Sequence, residues 1–292
     1  MFIAKQNFFE AFVLTRLQPF SEDIPKCLGV VGEVMFQEDV GGRRLNQEIA
    51  QVNEAGKLHL AHEAIAAIFR IQDAARKSGL NSSMPHLGVN QPWIENLVDA
   101  GEALSQFSEG RFMGLDRAPF YQALMRDGNQ FVKWDCRSGN AAIGDDDKLR
   151  WFDFEYSGLR HGAEDLAWLV GDEAWLIAPE VMLDVINQEF DPNCGHDHDS
   201  YFEYLSLYLT FHCIQRLKLI TKEARKRGWL SKARVRKYDD AGVHPEFAAH
   251  ICRVGSFYAQ RNPMTAPIGR DFEDAESMFR EILREGEMRV SA

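Results

Sequence analysis

Three side chains near the middle of the chain have the types and the spacing needed for chemistry on a phosphate group. Asp135 and Asn140 lie five residues apart in the segment FVKWDCRSGN, and Asp153 follows in the segment WFDFE. A carboxylate can take the proton of an attacking hydroxyl, while an amide oxygen and a second carboxylate are the hard oxygen ligands that Mg²⁺ prefers. The residues therefore predict phosphoryl transfer from a nucleotide, with Asp135 facing the acceptor and with Asn140 and Asp153 holding Mg²⁺.

Short strands and turns are expected to position these side chains. Apolar residues predict strands over 130–134, 141–143 and 149–154, and the acidic run at 145–147 predicts the turn between the last two. Asp135 and Asn140 would then lie in the loop between the first two strands, and Asp153 near the end of the third. Asp165 is expected to hold this loop through hydrogen bonds to its backbone, because a buried carboxylate needs such partners.

The remaining segments predict an α+β protein with a small mixed N-terminal part and a mainly helical body. Apolar residues at helical spacing, such as Phe9, Val13 and Leu17, favour helices. The expected helices span 8–17, 58–77, 94–107, 119–126, 163–173, 179–190, 201–227 and 272–285, and the expected N-terminal strands span 1–4, 27–31 and 33–37.

Composition argues against several classes of partner. The 292 residues carry 33 Lys and Arg against 44 Asp and Glu, a net charge of −11, whereas sequence-independent binding of nucleic acid needs a basic surface. No uncharged apolar run approaches the roughly 18 residues of a membrane span, and the N-terminus lacks the pattern of a signal peptide. The five cysteines are widely spaced and include no CxxC pair, which indicates free thiols and a cytoplasmic location.

Several short motifs resemble the aminoglycoside phosphotransferase and choline kinase-like group, the small-molecule kinases that share the protein-kinase fold. The matching residues are Phe131-Val132, Asp135, Asn140, Asp153-Phe154-Glu155 and Asp165-Leu166-Ala167. The resemblance implies an α+β, protein-kinase-like fold of two lobes, with ATP and Mg²⁺ as cofactors. It also implies transfer of the ATP γ-phosphoryl group to a hydroxyl of a small molecule, such as an aminoglycoside or choline.

The N-terminal residues resemble the last strands and the helix of the family's small, nucleotide-binding lobe. Lys5 lies where the family's nucleotide-binding Lys is expected, and Glu10 on the following helix is the natural partner of its ammonium. The hinge at 37–40 would bind the adenine, which adds Gln37, Glu38 and Val40 to the cofactor-binding residues. The resemblance thus implies a partial small lobe over 1–40 and a helical large lobe over 41–292 that carries the catalytic and metal-binding loops.

The sequence departs from the family pattern in two places. Lys133-Trp134 replaces the His-Gly pair that precedes the catalytic Asp, and Lys133 could instead contact a phosphate. The hinge also lies near residue 38, whereas the family's small lobe takes on the order of 90 residues before that point. The strands and the loop that cover the phosphates are therefore expected to be absent, either because Met1 is not the true start or because the chain is a truncated relative. Their loss would reduce the rate of transfer.

Two other functions stay open at this stage. One is a catalytically impaired, pseudokinase-like binding module, because part of the small lobe is missing, and the other is a metal-dependent hydrolase that uses the same carboxylates. The acidic net charge suits a cationic acceptor, such as an amino sugar or an amino alcohol. A separate cluster of Cys194, His196 and His198 has the ligand types of a metal site, for which an ordinary polar loop is the alternative.

Overall fold

The computed structural model describes residues 2–5, 7–125 and 128–290, and it has the expected α+β architecture. The strands are β1 (Phe2–Lys5), β2 (Cys27–Val31), β3 (Val34–Glu38), β4 (Arg43–Arg44), β5 (Gln130–Val132), β6 (Ala141–Ile143), β7 (Leu149–Trp151) and β8 (Gly158–Arg160). The helices are α1 (Phe8–Leu17), α2 (Leu45–Glu48), α3 (Glu54–Lys77), α4 (Gln91–Asp99), α5 (Ala118–Leu124), α6 (Ala163–Val170), α7 (Pro179–Glu189), α8 (His198–Arg227), α9 (Lys232–Tyr238), α10 (Pro245–Ala259) and α11 (Ala266–Val290).

A three-stranded antiparallel sheet near the N-terminus has the strand order β1-β3-β2. The strand β1 ends at Lys5, and the chain then enters α1 almost at once. The side chain of Asn7 accepts a hydrogen bond from the backbone N–H of Glu10 at 3.0 Å, which caps the first turn of the helix. The helix packs against β2 and β3 with Val13 and Leu14 buried. The start of α1 is thereby held close to the end of β1.

Two further sheets carry the segments that hold the predicted catalytic residues. β4, β6 and β7 form one antiparallel sheet, and β5 pairs with β8 in the other. The helix α3 packs against both β5 and β7. The buried indole of Trp151 donates its N–H to the carbonyl oxygen of Ala64 on α3 at 3.4 Å. One helix therefore supports the loop after β5 and the end of β7 at the same time.

The chain divides into two compact units. The first unit consists of Met1–Leu87, Asp127–Leu169 and Leu183–His198 and holds strands β1–β8. The second consists of Gly88–Arg126, Val170–Met182 and Asp199–Ala292 and is helical in its described parts. Within the second unit α10 packs against α11, where Gly255 lies so close to the ring of Phe272 that a Cβ would collide with it. The predicted division into lobes at residue 40 stays a prediction.

Most of the expected elements are present, and the differences lie mainly at their ends. The bounds of α1 agree with the expected 8–17, whereas α3 begins earlier, after Asn53 caps its first turn. The helix expected over 94–107 is wrong in part, because α4 ends at Asp99 and a 3₁₀-helix follows it. Apolar spacing does not predict α9, α10 or β8. Residues 1 and 126, at the ends of two expected elements, lie outside the described residues.

Among the helices that the structure describes, none combines the length and the apolar character that crossing a bilayer requires.

Candidate active site

Both carboxylate oxygens of Asp135 accept hydrogen bonds from side chains of its own loop. Asn140 Nδ2 donates to Oδ2 at 2.8 Å, and Arg137 Nε donates to Oδ1 at 2.8 Å. The Asp135 side chain is 20% exposed, so solvent reaches the predicted base. A carboxylate has about four acceptor positions on its two oxygens. These two bonds therefore leave Asp135 able to accept a hydrogen bond from a further donor, such as a hydroxyl group.

The backbone around Asp135 has an unusual conformation that neighbouring carboxylates stabilise. Trp134 and Asp135 have φ angles of 53° and 48°, in the left-handed region that non-glycine residues rarely adopt. The buried carboxylate of Asp165 accepts the backbone N–H groups of Lys133 at 3.0 Å and of Trp134 at 2.8 Å. The indole N–H of Trp134 donates to the buried Glu164 at 3.0 Å. The expected role of Asp165 in holding this loop is confirmed.

The side chain of Lys133 lies inside the same loop and is only 1% exposed. Its ammonium lies 3.4 Å from the carbonyl oxygen of Trp134 and 3.3 Å from that of Asp135. It also lies 5.4 Å from the centroid of the Phe154 ring, over the face of that ring. The structure therefore gives no support to a phosphate contact by Lys133. Its ammonium instead bonds two carbonyl groups of the left-handed turn.

We expect Lys133→Met to lower the free energy of unfolding by about 1–3 kcal/mol, because two carbonyl groups of the loop lose a charged donor. Denaturation by urea measures this loss. Lys148→Met is a suitable control, since Lys148 is more than half exposed and pairs with Glu22 at the surface. Equal urea midpoints for the two variants would contradict the assigned role of Lys133.

The carboxyl group of Asp165 should make stability depend on pH. Burial raises its pKa from 3.8 to about 6, although hydrogen bonds from Lys133, Gln72 and Trp134 offset part of that rise. The folded protein therefore binds this proton more tightly than the unfolded chain, so the contribution of Asp165 to stability falls as the pH rises from about 4 to about 6. We expect the stability of the wild type relative to Asp165→Asn to decrease over this range in urea denaturation. A relative stability that rises with pH would show the sign to be wrong.

The hairpin formed by β6 and β7 brings Asn140 and Asp153 together. The backbone N–H of Phe152 donates to the carbonyl oxygen of Asn140 at 2.9 Å, and Asp153 is the next residue along the chain. Asn140 donates its amide N–H to Asp135, so its amide oxygen faces away from that carboxylate. Asp153 has a φ of 69°, which turns the chain sharply at this point. An amide oxygen and a carboxylate fit Mg²⁺, which binds one or two carboxylates of a protein and completes its shell with water and substrate phosphates.

Lys5 connects the N-terminal sheet to Asp153. Its ammonium lies 2.6 Å from Asp153 Oδ1 and 3.1 Å from Glu10 Oε2. Glu10 is fully buried, and its other oxygen accepts the backbone N–H of Phe154 at 2.9 Å. Burial lowers the pKa of Lys5, but the hydrogen bond to Asp153 and the charges of both carboxylates outweigh it, so the pKa rises above 10.5. The expected pairing of Lys5 with Glu10 is present, while the contact of Lys5 with phosphates stays a prediction.

The predicted hinge residues lie at and just beyond the end of β3. Gln37 is buried, and it pairs with both neighbouring strands of the sheet. Glu38 donates its backbone N–H to the carbonyl oxygen of Lys26 at 2.8 Å. Val40 follows the last ladder pair and has a buried side chain. The binding of adenine by these three residues stays a prediction.

The residues considered as a separate metal cluster point to different partners. The His198 ring lies 2.8 Å from the amide oxygen of Asn187. The His196 ring packs on His161, with 4.1 Å between the centroids. The Cys194 thiol lies 3.8 Å from the carbonyl oxygen of His196, and burial raises its pKa, which disfavours the thiolate that binds metals. Within 2–5, 7–125 and 128–290, no three His, Cys, Asp or Glu side chains are arranged to hold a metal ion. The structure thus favours an ordinary polar loop.

Two side chains that contact the site are missing from the residues expected on sequence grounds. Arg137 pairs with Asp135, and Glu164 accepts the indole N–H of Trp134. The sequence offered one signal for Arg137, its position between Asp135 and Asn140. A charged residue at such a position in a catalytic loop lies close to the reacting groups. Glu164 carried no comparable signal, since its partner lies thirty residues away along the chain.

Comparison with known proteins supports the fold. No known protein-family profile matches the chain, and a search of curated proteins finds no match. Among solved structures, the GDP complex of wild-type aminoglycoside 2'-phosphotransferase-IIIa aligns with a TM-score of 0.50 and 16% identity over 79% of each chain. An ethanolamine kinase from Plasmodium vivax aligns with a TM-score of 0.43 and 11% identity, covering 96% of this chain and 77% of that one. A choline kinase from Cryptosporidium parvum aligns with a TM-score of 0.35 and 12% identity, covering 98% and 80%. The first similarity shows that the chain has the expected protein-kinase-like fold.

Proposed function

We propose that this chain, which has the fold of the aminoglycoside 2'-phosphotransferase, transfers the γ-phosphoryl group of ATP to a hydroxyl of a small molecule. The main support is a continuous series of contacts from Lys5 to Asp153, from the Asp153 turn to Asn140, and from Asn140 to Asp135. This series brings together a cation for phosphates, two oxygen donors for a metal and a base for the acceptor. Phosphoryl transfer depends on positioning and charge stabilisation by such a set of groups.

In the proposed reaction Asp135 accepts the proton of the acceptor hydroxyl while the hydroxyl oxygen attacks the γ-phosphorus. The new O–P bond forms as the bond from the γ-phosphorus to the bridging oxygen breaks, and ADP leaves with that electron pair. Lys5 holds the α- and β-phosphates, and Glu10 fixes its ammonium. Asn140 and Asp153 would hold Mg²⁺, which neutralises charge on the phosphates when it is bound. Asp135 afterwards releases its proton to solvent.

The proposal gives the N-terminal residues the role of a small nucleotide-binding lobe over 1–40. The backbone of the hinge at Gln37, Glu38 and Val40 would receive the adenine, next to the strand that ends at Lys5. The short sheet β1-β3-β2 supports this placement, because β1 pairs antiparallel with β3, with Phe2 opposite Glu38 at the hinge and Lys5 opposite Met35 at the other end of the ladder. The large lobe over 41–292 would then supply the acceptor pocket, and the reaction would take place in the cytoplasm.

A cationic acceptor fits the charge at the site. Glu155 raises the pKa of the exposed Tyr156 through its charge and a hydrogen bond, and Asp135 and Asp153 add to that rise. Three carboxylates therefore act on this one side chain. Lys5 pairs with Asp153 and Arg137 with Asp135, so the attraction of the ammonium group of an amino sugar or an amino alcohol would come mainly from Glu155. The net charge of −11 acts in the same direction.

Calorimetric titration with Mg-ATP, and with Mg-GTP as a second nucleotide, tests the proposal. We expect saturable binding, a higher melting temperature, and transfer of phosphate to a member of a panel of aminoglycosides, ethanolamine and choline. The absence of any nucleotide binding would overturn the proposed function. Binding without transfer would support the pseudokinase-like module instead. Hydrolysis of phosphate esters in the absence of nucleotide would support the metal-dependent hydrolase.

A further inference from the structure

The end of α8 and the segment that follows it are strongly basic, although the protein as a whole is acidic. Residues 216–237 contain ten Lys and Arg and one Glu, a charge of +9 against −11 for the whole chain, which leaves −20 on the other 270 residues. Part of this positive charge is neutralised within the fold, by the carboxylates that pair with Arg216, Arg227 and Lys232. The rest has no role in the proposed reaction.

Four basic side chains form a stripe along α8, here called the α8 stripe. Lys218, Lys222, Arg225 and Lys226 follow one another at spacings that place them on one face of the helix, over about 12 Å of its length. All four are exposed. In the part of the chain that the structure describes, no carboxylate forms an ion pair with any of them. The α8 stripe therefore presents positive charge that a negatively charged partner could neutralise.

An apolar groove with a volume of about 200 Å³ lies beside the α8 stripe, within the second unit. The indole of Trp229 meets the ring of Phe279 on α11 edge to face, with 6.1 Å between the centroids, and it remains 39% exposed. Arg225 belongs both to the stripe and to the lining of the groove, and its guanidinium donates a hydrogen bond to the side chain of Gln106. The other apolar side chains of the lining are Phe107, Met278 and Ile282.

The shape and composition of the groove favour a protein partner. Its volume is below the roughly 300–1,000 Å³ of a small-molecule site, but a large side chain of a partner can enter it. Trp, Phe, Met and Arg are the residue types enriched at protein–protein interfaces. A flat bilayer cannot reach apolar groups inside a concave groove, and the sugar-phosphate backbone of a nucleic acid finds no hydrogen-bond donor among them. An amphipathic helix with carboxylates beside its apolar residues matches both the groove and the stripe.

We propose that the groove and the α8 stripe together bind an acidic amphipathic helix of another protein. A large apolar side chain of that helix inserts beside Trp229, and its carboxylates lie along the α8 stripe, where opposite charges meet. The inference is independent of the proposed reaction, because every residue it uses lies outside the proposed reaction centre.

Fluorescence anisotropy with a labelled probe peptide tests the inference on the full chain. The probe has about 20 residues, enough to form a helix, with Phe and Leu on one face and Glu at most other positions. Two matched peptides carry Gln in place of Glu, or Ala in place of Phe and Leu. We expect saturable binding of the probe and about 10-fold weaker binding of each matched peptide, because each lacks one of the two features that the site recognises.

Two variants separate the charges from the groove. Lys222→Glu/Lys226→Glu should weaken binding of the probe about 10-fold and make its affinity less dependent on salt. Trp229→Ala should weaken binding about 10- to 30-fold, the effect of removing an aromatic residue at the centre of an interface. The control is Arg253→Glu/Arg270→Glu, which changes the net charge equally at exposed residues of the second unit outside the basic segment. Its affinity for the probe should equal that of the wild type.

Equal affinities of the control and of Lys222→Glu/Lys226→Glu for the probe would overturn the inference, as would equal affinities of the wild type for all three peptides. If Trp229→Ala does not fold, the matched peptides and the charge reversal decide. Tighter binding of single-stranded RNA, or of phosphatidylserine vesicles, than of the probe would also overturn it, in favour of a nucleic acid or a membrane. A dimer that dissociates in Lys222→Glu/Lys226→Glu, seen by sedimentation, would instead make a second copy of this chain the occupant. No nucleotide takes part in these measurements, so their outcome is separate from that of the proposed function.

Discussion

Asp135→Ala is expected to lower kcat by about 10³-fold, the effect of removing a well-placed general base. The acceptor hydroxyl then has no group to take its proton as it attacks the γ-phosphorus. Nucleotide affinity should be retained, because Lys5 and Asp153 stay in place. Single-turnover transfer and calorimetric titration with Mg-ATP measure the two quantities separately.

The matched control for this variant is Asp147→Ala. Asp147 belongs to the turn between β6 and β7, and its side chain is 84% exposed. Asp147 forms an ion pair with Arg43 at the surface. Such surface ion pairs contribute about 0–1 kcal/mol to the free energy of unfolding. We expect its kcat to equal that of the wild type. Retained turnover in Asp135→Ala, or equal losses in both variants, would contradict the assignment of Asp135 as the base.

The second large effect is expected for Asp153→Ala, with kcat lowered by about 10³-fold, since a metal ion supplies several kcal/mol of charge stabilisation. Unlike Asp135→Ala, this variant should also need more Mg²⁺ for the same nucleotide affinity. Lys5 keeps Glu10 as a partner at 3.1 Å, so the N-terminal contacts should persist. The measurement is nucleotide affinity and kcat as functions of Mg²⁺ concentration.

Asp146→Ala provides the control for this experiment within the same hairpin. Asp146 forms an ion pair with Arg150 at 2.7 Å, and its side chain is 46% exposed in the turn between β6 and β7. Its loss should leave the Mg²⁺ dependence unchanged. If Asp153→Ala shows the same Mg²⁺ dependence as Asp146→Ala, the carboxylate of Asp153 does not hold the metal.

Local signals were sufficient to predict several of the elements around the site. The spacing of apolar residues predicted α1 with its observed bounds, and the acidic turn at 145–147 predicted the hairpin that joins Asn140 to Asp153. Helix α10 shows why other elements were missed. Its residues that are not buried, Glu246, His250, Arg253 and Phe257, form one narrow stripe at helical spacing. The apolar Phe257 in that stripe weakens the contrast between apolar and polar residues that indicates a surface helix.

The directions of side chains in the site could not be predicted, because distant residues set them. The carboxylate of Glu10 accepts the N–H of Phe154, 144 residues away. Lys133 points inward because the ring of Phe154 and the carbonyl groups of a left-handed turn lie there. Sequence motifs identified the residue types of the site. The ion pair of Arg137 with Asp135 depends on the left-handed backbone conformation at Asp135, which no local sequence pattern predicts.

The left-handed backbone at Trp134, Asp135 and Asp153 limits how this protein could be engineered. Each such non-glycine residue costs of the order of 1 kcal/mol, and all three lie in the proposed reaction centre. A selection for heat resistance alone would therefore favour glycine or asparagine at these positions. It would replace the two carboxylates and the indole bonded to Glu164 in the process. Thermostable descendants obtained in that way would be inactive, so a selection must reward turnover and heat resistance together.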